Sequence, residues 1–123
     1  MRKQGFVVHA CNIHELAGIE QYDMISMCDV LEHMPFPTCG LIAAQRLLKP
    51  NGYLFVSLPN SDSPLWRAMD NANVNPYWIE IEHYHNFSRR RLYALLDEYG
   101  FCPERCWVSN RYKACIDVLA TRL

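Results

Sequence analysis

Three side chains able to move a proton fall close together in the run Asp29-Val30-Leu31-Glu32-His33. Two carboxylates and an imidazole are groups on which acid–base chemistry near neutral pH draws. They follow directly on Tyr22-Asp23-Met24-Ile25-Ser26-Met27-Cys28, a short, mostly apolar run that reads as a buried strand emptying into a polar loop. Such a loop is half of a site.

The elements that must position this loop are legible around it. From Phe36 to Lys49 the apolar residues Leu41, Ala44, Leu47 and Leu48 recur at helical spacing, with Pro35 and Pro37 before them and Pro50 after. Pro50-Asn51 reads as the centre of a turn, and Tyr53-Leu54-Phe55-Val56-Ser57-Leu58, stopping at Pro59-Asn60, as a second strand. Strand, crossover helix and strand make a βαβ unit, whose right-handed crossover sets both strand ends along one edge of the sheet. The loops Asp29 to His33 and Pro59 to Ser63 then face one crevice, the place where open α/β sheets bind ligands.

Composition narrows the class. The chain has 123 residues, 50% of them hydrophobic and 20% charged, which suits one globular domain. A formal net charge of -1 gives no argument for nucleic acid or an anionic membrane, and Arg89-Arg90-Arg91 reads as the solvated first turn of a helix. No apolar run approaches the roughly 20 residues of a membrane span, and nothing after Met1 resembles a signal peptide, so a cytoplasmic protein with reduced thiols is expected. The six cysteines form no paired CxxC knuckles and read as buried structural thiols rather than a zinc site.

In chain order, Phe6 to Cys11 is strand-like and Asn12 to Leu16 starts a short helical turn. Ser63-Pro64 reads as an N-cap and first helical residue. The long connection from Asn60 to Phe87, rich in Trp and Tyr, is expected to lie as a lid over the crevice, the alternative being a surface that packs on a partner. Ser88 caps a helix with Leu92, Leu95, Leu96 and Tyr99 on one face and Gly100 at its end. Glu104 to Ser109 and Ala114 to Thr121 suggest an antiparallel hairpin.

The segments YDMISMCDVLEHMPFP, LKPNGYLFVSLPN and HYHNFSRRRLYALLDEYGF, in this order and spacing, resemble the carboxyl-terminal two-thirds of class I S-adenosylmethionine-dependent methyltransferases, in the branch with an LEH motif after the fourth strand. The resemblance implies an α/β, Rossmann-like three-layer sandwich with a mostly parallel sheet and a closing antiparallel hairpin. Phe6 to Cys11 would be strand three, Tyr22 to Cys28 strand four, Tyr53 to Leu58 strand five, and the hairpin strands six and seven. Residues 1–123 would be a single partial domain lacking the family's first two strands, with their glycine-rich loop and ribose-binding acid.

For the site, the resemblance implies that Asn12 and Ile13 lie beside the adenine of S-adenosylmethionine and that Cys28, Asp29 and Val30 form the wall after strand four. Some relatives, including O-methyltransferases of ubiquinone biosynthesis, hold a divalent metal with an acidic-x-x-Glu-His arrangement. Asp29, Glu32 and His33 match it here, with His85 as a further histidine, and magnesium, manganese or zinc would suit such a set. His33 or His85 would serve as general base. The partner would be an unidentified methyl acceptor, a hydroxyl by this analogy. Self-association, or completion by an amino-terminal segment, is expected because strand one would normally cover strand four. Two other classes are a non-catalytic remnant of the family and a small metal-binding structural protein.

Overall fold

A computed structural model of the chain, describing residues 2–9 and 11–123, builds one four-stranded sheet around the expected βαβ unit. Strand β1 (Tyr22–Cys28) leads through a 3-10 turn at Leu31–His33 into helix α1 (Pro37–Leu47), which returns as strand β2 (Leu48–Pro59). Helix α2 (Pro64–Asn71) and helix α3 (Arg89–Glu98) follow, and strands β3 (Phe101–Val108) and β4 (Cys115–Arg122) close the chain. The order across the sheet is β1-β2-β4-β3, with β1 and β2 parallel and the other two pairs antiparallel.

Each helix begins and ends where side-chain chemistry dictates. Pro37 opens α1, where an amide donor would go unused. The hydroxyl of Ser63 accepts from the Trp66 amide at 3.0 Å, and that of Ser88 from the Arg91 amide at 3.2 Å. Gly100, at φ +79°, supplies the left-handed residue that ends α3.

Alternation along the strands sorts residues between two faces. Leu54, Val56 and Leu58 of β2 and Ile116, Val118 and Ala120 of β4 pack with Leu41 and Ala44 of α1 and Leu92 and Leu96 of α3 into one core. Each of the leucine, isoleucine and valine side chains contributes about 1.5–3 kcal/mol by leaving water. The opposite face carries Met24 of β1 paired with Tyr53 of β2, Phe55 of β2 paired with Leu119 of β4, and Trp107 of β3 paired with Asp117 of β4. No described helix packs on that face: Met24 is 53% exposed, Tyr53 42% and Trp107 41%.

The Lys-Pro-Asn-Gly turn proves to be a bulge inside β2 rather than a loop before it. Tyr22 pairs with Leu48 and Met24 with Tyr53, so Lys49 to Gly52 are looped out opposite Asp23. Asn51 takes φ +61°, and a side chain on Gly52 would lie 2.9 Å from the Lys49 carbonyl oxygen.

Two expectations need correction. The stretch Phe6 to Cys11 forms no strand in its described residues (Ala10 lies outside them), and Phe6 and Val7 are exposed. A strand needs a ladder partner, and the following segment is drawn away to the end of α1. There Arg46 donates to the carbonyls of Leu16 and Gly18, and the amides of Glu20 and Gln21 donate to the carbonyls of Arg46 and Leu47. The outer edge of β1 is therefore left without a neighbouring strand among the described residues. The cysteines are the second: Cys11, Cys28, Cys39, Cys102 and Cys106 are exposed and only Cys115 is buried, because most of them fall on the uncovered side of the sheet or on rims.

The long connection starts and finishes at one point. Asn60 and Phe87 form a parallel bridge, and the Ser61 amide donates to the Phe87 carbonyl at 2.9 Å. No described helix is long and apolar enough to cross a membrane.

Candidate active site

The 3-10 turn after β1 buries Leu31 and Glu32 and leaves His33 half-buried beside them. Asp29 enters this turn at φ +52°, with its amide held by the Ser57 carbonyl at 2.9 Å. The connection from Asn60 to Phe87 then folds back onto the turn. The amides of Tyr84 and His85 both donate to the main-chain carbonyl of Glu32, at 2.9 and 3.3 Å, and so fix which side chains of the His83-Tyr84-His85 stretch look inward.

His83 is the one that does. One ligand atom each of Glu32, His33 and His83 lies within 4.8 Å of the others, and the two imidazole rings meet edge to face with centroids 4.5 Å apart. Glu32 is 1% exposed, and neither of its carboxylate oxygens has a hydrogen-bond partner among the described residues; nor does Nδ1 of His83. Unpaired buried polar groups of this kind are rare and are met by an ordered water, an ion or a catalytic role. Burial pushes the Glu32 carboxyl above its ordinary range, with the Asp29 charge adding to the effect. Burial and the neighbouring His33 hold His83 below its ordinary range, favouring the neutral ring.

His33 has a defined tautomer. Its Nδ1 lies 3.0 Å from the carbonyl oxygen of Glu82, which can only accept, so Nδ1 carries the proton and Nε2 presents a lone pair. Around the three residues lies a cavity of about 350 Å³, lined also by Asp29, Tyr77, Glu80, Arg111, Tyr112 and Cys115. Tyr77 stacks on His83 on one side and on buried Trp66 on the other. Burial pushes its hydroxyl up to about 12, and that of the Cys115 thiol up to about 11, so both stay protonated and unreactive at neutral pH.

Not every residue expected here takes part. His85 turns away: its Nε2 donates to the Pro35 carbonyl at 3.3 Å and its ring leans on Phe87. The expected set of Asp29, Glu32, His33 and His85 therefore loses His85 and gains His83, because the main-chain anchor on Glu32 sets the facing of alternate residues. Asp29 lines the cavity but is paired with Arg111 at 2.7 Å, from the turn between β3 and β4. Tyr77 belongs to the aromatic connection expected over the crevice, whereas Arg111 carried no sequence signal for the site, since it reaches Asp29 across a long separation.

Asn12 caps the 3-10 turn Ile13–Glu15, with its main-chain N–H and side-chain amide both donating to the Glu15 carboxylate at 3.2 Å. Ile13 packs against the core, whereas Cys28 is exposed with its sulfur 3.3 Å from the Ser26 hydroxyl, and Val30 is exposed. None of these four lines the cavity that Asp29 and Glu32 share.

Comparison with known proteins supplies the context. A family model described as a methyltransferase domain matches residues 2–104. Curated relatives include ubiquinone biosynthesis O-methyltransferases of Serratia proteamaculans, 30% identical over 61 residues, and of Klebsiella pneumoniae, 33% identical over 61 residues. The match spans 50% of this chain but only 25% of either relative. Among solved structures, a S-adenosylmethionine-dependent methyltransferase of Thermotoga maritima, a possible histamine N-methyltransferase, superposes with TM-score 0.75 at 22% identity, covering 99% of this chain and 67% of that one. A 1,6-didemethyltoxoflavin-N1-methyltransferase of Burkholderia thailandensis, solved with bound 1,6-didemethyltoxoflavin and S-adenosylhomocysteine, gives 0.71 at 22% identity, covering 93% of this chain and 49% of that one.

Proposed function

The chain belongs to the methyltransferase domain family, and on that premise we propose that it carries the acceptor side of a S-adenosylmethionine-dependent methyltransferase acting on a hydroxyl. The cluster of Glu32, His33 and His83 in the crevice at the strand ends carries this reading. The names of the matched O-methyltransferases support an oxygen acceptor.

When bound, S-adenosylmethionine supplies a methyl group on a sulfonium sulfur, a leaving group that needs no protonation. What the protein must do is place the acceptor oxygen in line and take its proton. His33 is suited to the second task because its Nε2 lone pair is oriented by the Nδ1 bond to Glu82. Tyr77 and His83 line the crevice as stacked rings whose facing planes are taken up by each other and by Trp66, which leaves ring edges toward an acceptor.

As a second reading, the orphaned Glu32 oxygens fit a divalent cation, with the imidazoles of His83 and His33 as the other donors; Nε2 of His33 would then be a ligand and not the base. One carboxylate and two imidazoles favour zinc or manganese over magnesium. Bound there, the ion would offset the buried charge of Glu32 and polarise an acceptor hydroxyl.

For the cofactor, the family resemblance would give this chain only part of a pocket, with Asn12, Ile13 and Val30 beside the adenine. Titration calorimetry with S-adenosylhomocysteine is expected to give binding weaker than micromolar for this chain. Methyl transfer from labelled S-adenosylmethionine to phenol or catechol acceptors, measured in a protein that contains this sequence, tests the activity. Transfer that vanishes in His33→Ala and survives in His85→Ala is expected; equal activity in both variants would overturn the assignment of His33.

A further inference from the structure

Helix α3 carries its charges in the reverse of the order its dipole favours. A helix is stabilised by acids in its first turn and bases in its last. Yet α3 opens on Arg89-Arg90-Arg91, with no acid in the first turn, and closes on Asp97-Glu98, with no base in the last. All five side chains are exposed, and none makes an ion pair among the described residues. Nor does the helix pair them internally, because the positions three and four places on from the arginines are Leu92, Tyr93, Ala94 and Leu95. Charges placed against the dipole and left unpaired point to a partner of opposite polarity.

Two of the five line a groove. Arg91 and Glu98, seven residues and roughly 10 Å apart along the helix axis, border a cavity of about 450 Å³ between α3 and the turn before α1. Its other walls are mainly apolar and include Phe36, Phe87 and Leu95, and Phe36 is 73% exposed. Exposed Ala94 stands midway along the row, where its small side chain lets another backbone come close. Since α3 turns Leu92 and Leu96 into the core, this row faces away from the sheet. Helices that cover the opposite side of the sheet in a longer protein lie across the sheet from it.

We propose that the outer face of α3 is a contact between two copies of the chain, with the two helices antiparallel about a two-fold axis beside Ala94 and Leu95. The midpoint of Arg91 and Glu98 falls there, so Arg91 of each copy meets Glu98 of the other. Arg90 and Asp97, also seven places apart, flank that pair in the same sense. Such a contact is self-complementary and closes at two copies. It brings acids to each helix N-terminus and bases to each C-terminus, the charges that the dipole lacks in the single chain. A wholly basic or wholly acidic partner satisfies only one end. Exposed ion pairs add little affinity singly and chiefly set register, so the dimer is weak and sensitive to salt. The inference stands apart from the proposed methyl transfer and uses none of its residues.

Sedimentation velocity of the whole chain over a range of concentrations tests it. The parent should show a reversible monomer and dimer, with association weakened about tenfold or more between about 50 mM and about 500 mM sodium chloride. Arg91→Glu and Glu98→Arg should each be monomeric, since each sets like charges opposite one another. Neither should melt below the parent at a dilution where the parent is monomeric, because each change agrees with the helix dipole. An equal mixture of the two single variants should form a dimer with one copy of each, and a chain carrying both substitutions should dimerise alone. A parent that is monomeric at every concentration would overturn the proposal. So would association that either reversal leaves intact, which would place the contact on the uncovered side of the sheet or at the outer edge of β1. Loss in both variants that neither the mixture nor the double variant repairs would overturn it as well.

Discussion

Asp29 and Arg111 meet at 2.7 Å across the mouth of the crevice, one from the turn after β1 and the other from the turn between β3 and β4. The guanidinium also lies over the ring of Tyr112, 4.8 Å from its centroid. The pair is solvent-exposed, so its contribution to stability is small, about 0–1 kcal/mol. Its larger effect is to neutralise a carboxylate that would otherwise join Glu32. Arg111→Ala is therefore expected to leave the melting temperature nearly unchanged and to tighten manganese binding several-fold, as read by isothermal titration. Weaker binding would show that Arg111 supports the cluster rather than competing for Asp29.

Glu32 makes a sign prediction. Its folded-state pKa is raised by burial, so the native state binds its proton more tightly than the unfolded chain does. Stability from this group is greatest below the ordinary carboxylate range and falls as pH rises through the raised value. Glu32→Gln should remove that fall and, in metal-free buffer at pH 7, be more stable than the parent. Urea unfolding at pH 5 and pH 7 measures it; a variant less stable than the parent at both values would refute the reading.

Metal and histidine can be separated by thermal shift. Zinc or manganese should raise the melting temperature of the parent, because a ligand bound only by the native state stabilises it. The shift should disappear in Glu32→Ala and in His83→Ala and persist in His85→Ala. Loss in His85→Ala alone would restore the ligand set expected from sequence.

Much of this arrangement was readable from the chain before its fold. The β1 run, the crossover helix, and the caps at Ser63 and Ser88 follow local rules, because a strand's alternation or a cap's hydrogen bond is decided within a few residues. What escaped was decided at a distance. Whether His83 or His85 faces inward depends on two amides reaching the Glu32 carbonyl, and Phe6 to Cys11 lacks a strand because a ladder partner is a property of the whole sheet. The burial of the cysteines failed likewise: a thiol's exposure depends on whether a helix covers its face.

Trp66 is the internal support of the crevice wall. It is 2% exposed, stacked on Tyr77 at 4.9 Å and edge to face with Trp78 at 5.5 Å. Trp66→Ala should cost about 3–5 kcal/mol if the connection unfolds together with the sheet, and metal binding should fall because Tyr77 and His83 lose their backing. Unfolding followed by circular dichroism gives the first quantity and titration the second. A loss of metal binding with little loss of global stability would mean that the connection opens as a separate cooperative unit.

The bridge between Asn60 and Phe87 makes the whole excursion between them a closed appendix to the sheet. With its two ends tied, the entropy of its closure depends only logarithmically on its length, and doubling that length costs roughly 0.6 kcal/mol. The wall of the crevice is thus the part of the fold most open to insertion, deletion or exchange. Changes in what the crevice admits can arise there while the strands, the core and the turn that bears Glu32 and His33 stay as they are.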